Sequence, residues 1–185
     1  LLGAVSGGTG IDARTTGDGQ IQIRTSTNGA TVTGTSGQGI RTRAQNGTTS
    51  IAVGSNVTGA TYGIEATSTS GFISISTTAG STVSGGTNGI VTSSDGGSTN
   101  ITANSAVQSA QGTGIYATST SGAITIEGTG TISSSNANNQ FGAIYAGTSS
   151  GAIRLRGSGN VSSNGDNAVS LSITDSASNA DITIT

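Results

Sequence analysis

The sequence predicts an all-β protein, a right-handed parallel β-helix (solenoid) with three short strands per coil of about 25 residues and six to seven coils over residues 1–185. Three observations predict it. Three short apolar signatures recur in fixed order, each alternates apolar and polar residues, and Gly, Ser, Thr and Asn fill the segments between them. Alternation with period two is typical of strands with one buried face, and repeats of this length are typical of stacked coils.

The first signature is an apolar anchor preceded by Gly or Ala. The anchors recur at nearly even spacing, once per coil, and are Ile11, Ile40, Ile64, Ile90, Ile115, Ile144 and Val169. The anchor and the usually small residue two positions later are expected to point inward, as in Ile64 and Ala66. We interpret this signature as the first strand of each coil.

The second signature, which follows the first within each coil, is an apolar-x-apolar pair. The pairs are Ile21/Ile23, Ile51/Val53, Ile73/Ile75, Ile101/Ala103, Ile124/Ile126, Ile153/Leu155 and Ile182/Ile184. The third signature is a single β-branched residue between polar ones, at Val32, Val57, Val83, Val107, Ile132 and Val161. Residues 1–7 are expected to complete an earlier coil.

Composition argues against helices and against disorder. Gly, Ser, Thr and β-branched residues are poor helix formers. Disordered chains usually carry many charges and Pro, whereas this chain is 8% charged and has no Pro. A single coil is too small to fold alone, so stability is expected to come from the stacking of neighbouring coils.

Stacking aligns the outward-facing residues of successive coils in columns. The residues that we expect to form outward pairs are Asp12, Arg41 and Glu65, Tyr116 with Tyr145, and Glu127 beside Arg156. Opposite charges on neighbouring strands are mildly favourable, and Tyr116 is expected to lie on Tyr145. We interpret these residues as structural, setting register and solubility.

The third strand presents a two-column ladder of mostly hydroxyl-bearing side chains. Its candidate binding residues are Thr31, Thr33, Asn56, Thr58, Thr82, Ser84, Thr131, Ser133, Asn160 and Ser162, with Ala106 and Gln108 at the corresponding sites of one coil. Three functional interpretations are ice binding, glycan contact and lateral packing against another rod. The structural alternative is that Thr and Ser are polar residues that suit strands.

The residues needed for common catalytic chemistry are missing. The chain has no His, Cys or Lys, which excludes His-based triads and Ser–Lys pairs. Its eight acidic residues are dispersed, so a carboxylate pair that could cleave glycosides is not expected. We expect no enzyme activity, no cofactor and no metal. Absence of Cys also excludes disulfides and thiolate metal sites.

Charge and hydropathy limit the partners. The net charge is −2 and the six Arg are scattered, whereas phosphate binding needs clustered basic residues, so no nucleic-acid partner is expected. Every apolar run is far shorter than the stretch that a membrane-spanning helix requires, so this segment is not expected to lie in a membrane. The expected partners are the protein itself, end to end or side by side, and host or environmental glycans.

The recurring pattern G-I-x-A…G-x-I-x-I…G-[ST]-x-V-[ST] resembles the passenger regions of bacterial autotransporters and related large repetitive surface proteins. It is clearest at residues 63–84 and 114–133. The resemblance implies a right-handed β-helix stalk, export through the outer membrane and a role in adhesion or aggregation.

Together these observations predict a non-catalytic structural or adhesive rod at the bacterial cell surface. It would be the stalk of an adhesin or a subunit of a surface filament, and residues 1–185 would be one β-helix segment of a longer repetitive chain. The alternative is a ligand-binding β-helix that uses the third-strand ladder to bind a glycan or ice.

Overall fold

The structure is a computed structural model that describes residues 3–27, 29–175 and 180–185. Within these ranges the regular elements are all β-strands, which form three parallel sheets of seven strands each. The chain visits the three sheets in turn, with about 26 residues per turn and about 7 turns in the stack. The prediction of an all-β solenoid with three strands per coil is confirmed.

The strands of each sheet follow one signature. Sheet 1 consists of β2 (Ile11–Arg14), β5 (Ile40–Ala44), β8 (Tyr62–Ser68), β11 (Asn88–Ser94), β14 (Ile115–Ser119), β17 (Ile144–Thr148) and β20 (Val169–Ile173). Sheet 2 consists of β3 (Ile21–Arg24), β6 (Thr49–Val53), β9 (Ile73–Thr77), β12 (Thr99–Ala103), β15 (Ile124–Gly128), β18 (Ile153–Gly157) and β21 (Ile182–Ile184). Sheet 3 consists of β1 (Val5–Gly7), β4 (Thr31–Gly34), β7 (Asn56–Gly59), β10 (Thr82–Gly85), β13 (Ala106–Ser109), β16 (Ile132–Ser134) and β19 (Val161–Ser163).

The anchors of sheet 1 pair with one another from coil to coil, as predicted. Ile64 is the register partner of Ile40 on one side and of Ile90 on the other. The anchors of β14 and β17 continue the column. The isoleucines of this column from Ile40 to Ile144 are fully buried. This continuous apolar column is the centre of the core, and burial of such side chains is the main stabilising term.

Sheet 2 differs from its predicted alignment in two coils. Ile51 pairs with the second isoleucine of the neighbouring coils, Ile23 and Ile75, and Thr49 occupies the first inward position. Thr99 does the same in β12. The apolar pairs of these two coils are therefore shifted by two residues from the predicted register. Thr is β-branched like Val and fits an inward strand position, and a shift of two residues keeps every side chain on its face.

In the first four coils, the third inward position of sheet 2 alternates between a hydroxyl and an alkyl group; Gly128 and Gly157 occupy it in the next two. Thr77 lies between Val53 and Ala103, and its Oγ1 accepts hydrogen bonds from the backbone N–H groups of Asn104 and Ser105 at 3.1 and 3.0 Å. Thr25 Oγ1 accepts the corresponding backbone hydrogen bonds in an earlier coil. A buried Thr in one coil thus stabilises the turn of the next coil.

Sheet 3 carries the single β-branched residues in register, from Val32 through Val83 to Val161. Strand β1 pairs with β4, with Val5 beside Val32. Strand β1 thus occupies the third-strand position that precedes the first anchor, and completion of an earlier coil stays a prediction. Within the described part of the chain, no helical segment has the length and hydropathy that a membrane span requires.

Candidate functional site

The third-strand ladder forms two outward columns. In one column Thr33, Thr58, Ser84, Gln108, Ser133 and Ser162 are successive register partners. In the other, Thr31 pairs with Asn56, and Thr82 pairs with Ala106. Thr131 and Asn160 precede β16 and β19 directly. The side chains are half-buried or exposed, so the structure brings the ladder together as a surface.

Two features limit this ladder as a binding surface. Ala106 and Gln108 interrupt its two columns within the same strand. Asn56 uses its Oδ1 to accept a hydrogen bond from the backbone N–H of Thr82 at 2.9 Å, which serves the coil and not a ligand. These features favour the structural interpretation of the ladder, and its binding role stays a prediction.

The charged outward residues lie in the predicted register, and Arg41 contacts Glu65 as expected, but Asp12 has a different partner. Asp12 is the register partner of Arg41, yet its carboxylate pairs with Arg14 of the same strand at 3.0 Å. Arg41 instead lies 3.5 Å from the carboxylate of Glu65, which also accepts a hydrogen bond from Gln38 at 3.0 Å. Side chains two residues apart on one face of a strand are neighbours, so Arg14 competes with Arg41 for Asp12.

Glu127 and Arg156 are also register partners in adjacent coils. The carboxylate of Glu127 accepts a hydrogen bond from the hydroxyl of Thr102 at 3.3 Å, from the coil on its other side. In the part of the chain that the structure describes, no three His, Cys, Asp or Glu side chains are grouped as a metal site would need. The contacts of Arg41 with Glu65 and of Glu127 with Thr102 thus join adjacent coils, whereas Asp12 and Arg14 pair within one strand.

Sheet 1 carries an aromatic cluster of Tyr116, Phe141 and Tyr145. The rings of Tyr116 and Tyr145 are stacked, with centroids 4.8 Å apart and planes inclined by 21°. Phe141 packs edge-on against both, with centroid distances of 5.9 Å to Tyr116 and 4.7 Å to Tyr145. Such offset and edge-on arrangements are favourable for aromatic rings.

Phe141 was not among the residues that the sequence predicted for this surface. It lies just before the anchor Ile144, in one of the longest coils of the chain, which runs from the anchor Ile115 to Ile144. Phe141 is 43% exposed, one of the few large apolar side chains at the surface of the described residues. The long coil and its single Phe were the signals that could have identified it.

A buried amide fixes the loop that carries Phe141. Asn139 is 6% exposed, and its Nδ2 donates to the backbone carbonyl oxygens of Gly112 at 2.9 Å and Gly142 at 2.6 Å and to the hydroxyl of Ser134 at 3.0 Å. The backbone N–H of Phe141 donates to Asn139 Oδ1 at 3.1 Å. These contacts join the loop to its neighbours in the stack, so Phe141 is held in place beside the tyrosines.

A shallow hollow of about 180 Å³ adjoins the cluster. Tyr145 and Gly147 line it together with hydroxyl side chains, among them Thr118, Ser149 and Thr174. The missing side chain of Gly147 leaves space for the Tyr145 hydroxyl, because a Cβ at this position would lie 2.5 Å from it. The site therefore combines an aromatic ring with a lining of hydroxyl groups.

Electrostatics around the cluster are weak. Strands β11, β14, β17 and β20 contain no charged residue, and Asp95 and Asp175 follow the ends of the outer two. Burial, and to a lesser degree the neighbouring Tyr145, raise the pKa of Tyr116 above 10.0, the ordinary value for tyrosine. Tyr116 is thus presented as a neutral phenol, which can both donate and accept hydrogen bonds.

Comparison with known proteins adds no relative: the chain matches no protein-family model, no curated protein and no solved structure. The resemblance to autotransporter passengers therefore rests on the repeat pattern and on the β-solenoid of stacked coils.

Proposed function

We propose that this chain is a section of a non-catalytic extracellular rod with a structural and adhesive role at the bacterial cell surface. The observation that carries the proposal is the continuous register of three seven-stranded parallel sheets around one buried isoleucine column. Each interior coil is hydrogen-bonded to a coil on both sides, so a local opening must break two ladders. This construction suits a stiff spacer that positions an adhesive surface at a distance from the cell.

The surface chemistry supports the same proposal. Uncharged hydroxyl and amide side chains cover sheet 3, and two ion pairs of the described residues lie on sheet 1 in the first three coils. The repeat pattern that resembles autotransporter passengers supports a stalk of a surface adhesin or a subunit of a surface filament. Because the chain lacks Cys, its stability is independent of the redox state outside the cell.

The test uses antibodies raised against residues 1–185 and intact cells of the organism that encodes the chain. We expect the antibodies to label unpermeabilised cells, and beads coated with the chain to attach to cell or glycan surfaces under flow. Beads coated with the heat-denatured chain are the control. Labelling only after permeabilisation contradicts the surface location, and equal attachment of folded and denatured chain contradicts the adhesive role.

A further inference from the structure

We propose that the aromatic cluster and the adjoining hollow form a carbohydrate-binding site for a neutral sugar unit of a glycan. The proposal names the partner of the adhesive role, and in that respect it rests on the proposed function. It places glycan contact on sheet 1, at Tyr145 and its neighbours, and not on the third-strand ladder of sheet 3.

The first argument is the concentration of aromatic rings. The whole chain has three Tyr and two Phe and no Trp, and three of these five rings meet in one cluster. The core does not need them, since it is built from Ile, Val and Ala. Aromatic residues placed at a surface and fixed by a buried amide are typical of binding sites with a rigid apolar anchor.

The second argument is the uncovered side of Tyr145. Stacking on Tyr116 covers one face of the Tyr145 ring. On the other side of the same column the register partner is Ser170, a small residue. The next outward position of the strand is Gly147, whose neighbours in the column are Thr118 and Ser172. The part of the Tyr145 ring that borders Gly147 lines the hollow, and a flat ligand would pack there.

The third argument is the chemistry of the hollow. The C–H face of a pyranose ring packs on an aromatic ring, while its hydroxyl groups need hydrogen-bond partners. The hollow offers the hydroxyl residues Thr118, Ser149 and Thr174 from three successive coils beside the ring of Tyr145. An apolar wall with a few converging polar groups is the usual make-up of a small-molecule site.

The fourth argument selects an uncharged ligand. The four strands around the cluster carry no charged residue, so they offer no Arg to meet an acidic sugar. The uncharged strands therefore favour a neutral sugar over sialic or uronic acids.

The test measures binding of the folded chain to a panel of neutral oligosaccharides, with tyrosine fluorescence as the readout because no Trp is present. Tyr145→Ser places in this coil the residue that the next coil has at the same position. Gly147→Ala keeps every ring and crowds the Tyr145 hydroxyl. Phe72→Ser is the matched control, since Phe72 is 40% exposed outside the cluster.

We expect at least one neutral oligosaccharide to bind, and both cluster variants to weaken its binding at least tenfold while Phe72→Ser leaves it unchanged. Circular dichroism verifies that the variants remain folded. Absence of binding across the panel overturns the proposal, as does equal binding by Tyr145→Ser. Sedimentation supplies the other contradicting result. If the unmodified chain self-associates, Tyr145→Ser abolishes this association and no sugar binds, the cluster is a contact between rods.

The outcomes separate this proposal from the adhesive role. Sugar binding without attachment of coated beads supports the site and contradicts adhesion. Attachment together with equal sugar binding by Tyr145→Ser supports adhesion and contradicts the site.

Discussion

The ring of Tyr116 lies on the ring of Tyr145 because the two residues are register partners in adjacent coils. Parallel strands are about 4.8 Å apart, and the ring centroids are 4.8 Å apart. The coil spacing therefore sets the stacking distance directly, and the geometry of this surface follows from the register of the core beneath it.

The raised pKa of Tyr116 predicts a pH dependence. Its neutral form is favoured by burial, so its contribution to stability is complete below the pKa of an unfolded tyrosine, about 10, and is lost as the pH rises through the higher pKa of the folded state. We expect ultraviolet titration to show one tyrosine that ionises late. Tyr116→Phe is expected to remove this late transition; a late transition that survives in Tyr116→Phe contradicts the assignment.

The buried amide of Asn139 predicts a stability cost for its removal. Asn139→Ala leaves the carbonyl oxygens of Gly112 and Gly142 and the N–H of Phe141 without this partner, and an unsatisfied buried polar group costs about 1–3 kcal/mol. We expect the free energy of unfolding in urea to fall by about this amount. Asn138→Ala is the control, because Asn138 is exposed; equal losses in the two variants would show that the hydrogen bonds of Asn139 are not the cause.

The buried threonines predict opposite effects of one substitution. Thr49 is fully buried between Ile21 and Ile73, and its hydroxyl has no hydrogen-bond partner among the described residues. Thr77 accepts two backbone hydrogen bonds. A buried hydroxyl without a partner costs about 1–3 kcal/mol, so Thr49→Val is expected to raise the free energy of unfolding by about 1 kcal/mol.

Thr77→Val is expected to lower the free energy of unfolding by about 1–3 kcal/mol, because two N–H groups lose their acceptor. Both values come from urea unfolding of the full chain. Changes of the same sign at the two positions contradict the assignment of the hydrogen bonds.

The glycine before each of the first five anchors predicts a steric effect. A Cβ at Gly89 would lie 2.5 Å from the carbonyl oxygen of Gly114 and 2.7 Å from Val107 Cγ1. Backbone and a branched side chain cannot move aside easily, so Gly89→Ala is expected to lower the free energy of unfolding by about 1–3 kcal/mol, as overpacked cores do. Gly96→Ala is the control, since the nearest neighbours of its Cβ would be at 3.8 Å. Similar losses at both sites would show that replacement of a glycine, and not a clash with the neighbouring coil, lowers the stability.

Much of the fold could be predicted because each coil repeats the pattern of its neighbours. The anchor column, the valines of sheet 3 and the position of Tyr116 over Tyr145 all followed from aligning the repeats. The alignment was wrong at Thr49 and Thr99 because it used apolarity alone, whereas a strand selects inward residues by shape as well. A β-branched residue with a hydroxyl fills the same space as Val.

The candidate site was harder to predict for a different reason. Phe141 reaches the tyrosines through a loop whose course depends on the hydrogen bonds of Asn139, and a non-repeating loop has no counterpart to align with. Likewise, Asp12 and Arg41 were matched by column, but the within-strand neighbour Arg14 takes the carboxylate. Alignment of the repeats predicts the register of the coils, whereas the partner of a charged side chain depends on which neighbouring side chains compete for it.

The most direct measurement of the coil register is disulfide cross-linking, since the chain contains no Cys. Thr58 and Ser84 are outward register partners in adjacent coils, and Gln108 is the next partner in the same column. Adjacent positions about 4.8 Å apart are within the Cα separation that a disulfide spans, about 4.4–6.8 Å, and positions two coils apart are beyond it.

The stacked-coil account predicts that a chain with Thr58→Cys and Ser84→Cys forms an internal disulfide rapidly under mild oxidation. It predicts that a chain with Thr58→Cys and Gln108→Cys does not. Equal rates for the two pairs, or faster closure of the second pair, would contradict the register on which the core, the aromatic cluster and the proposed sugar site all depend.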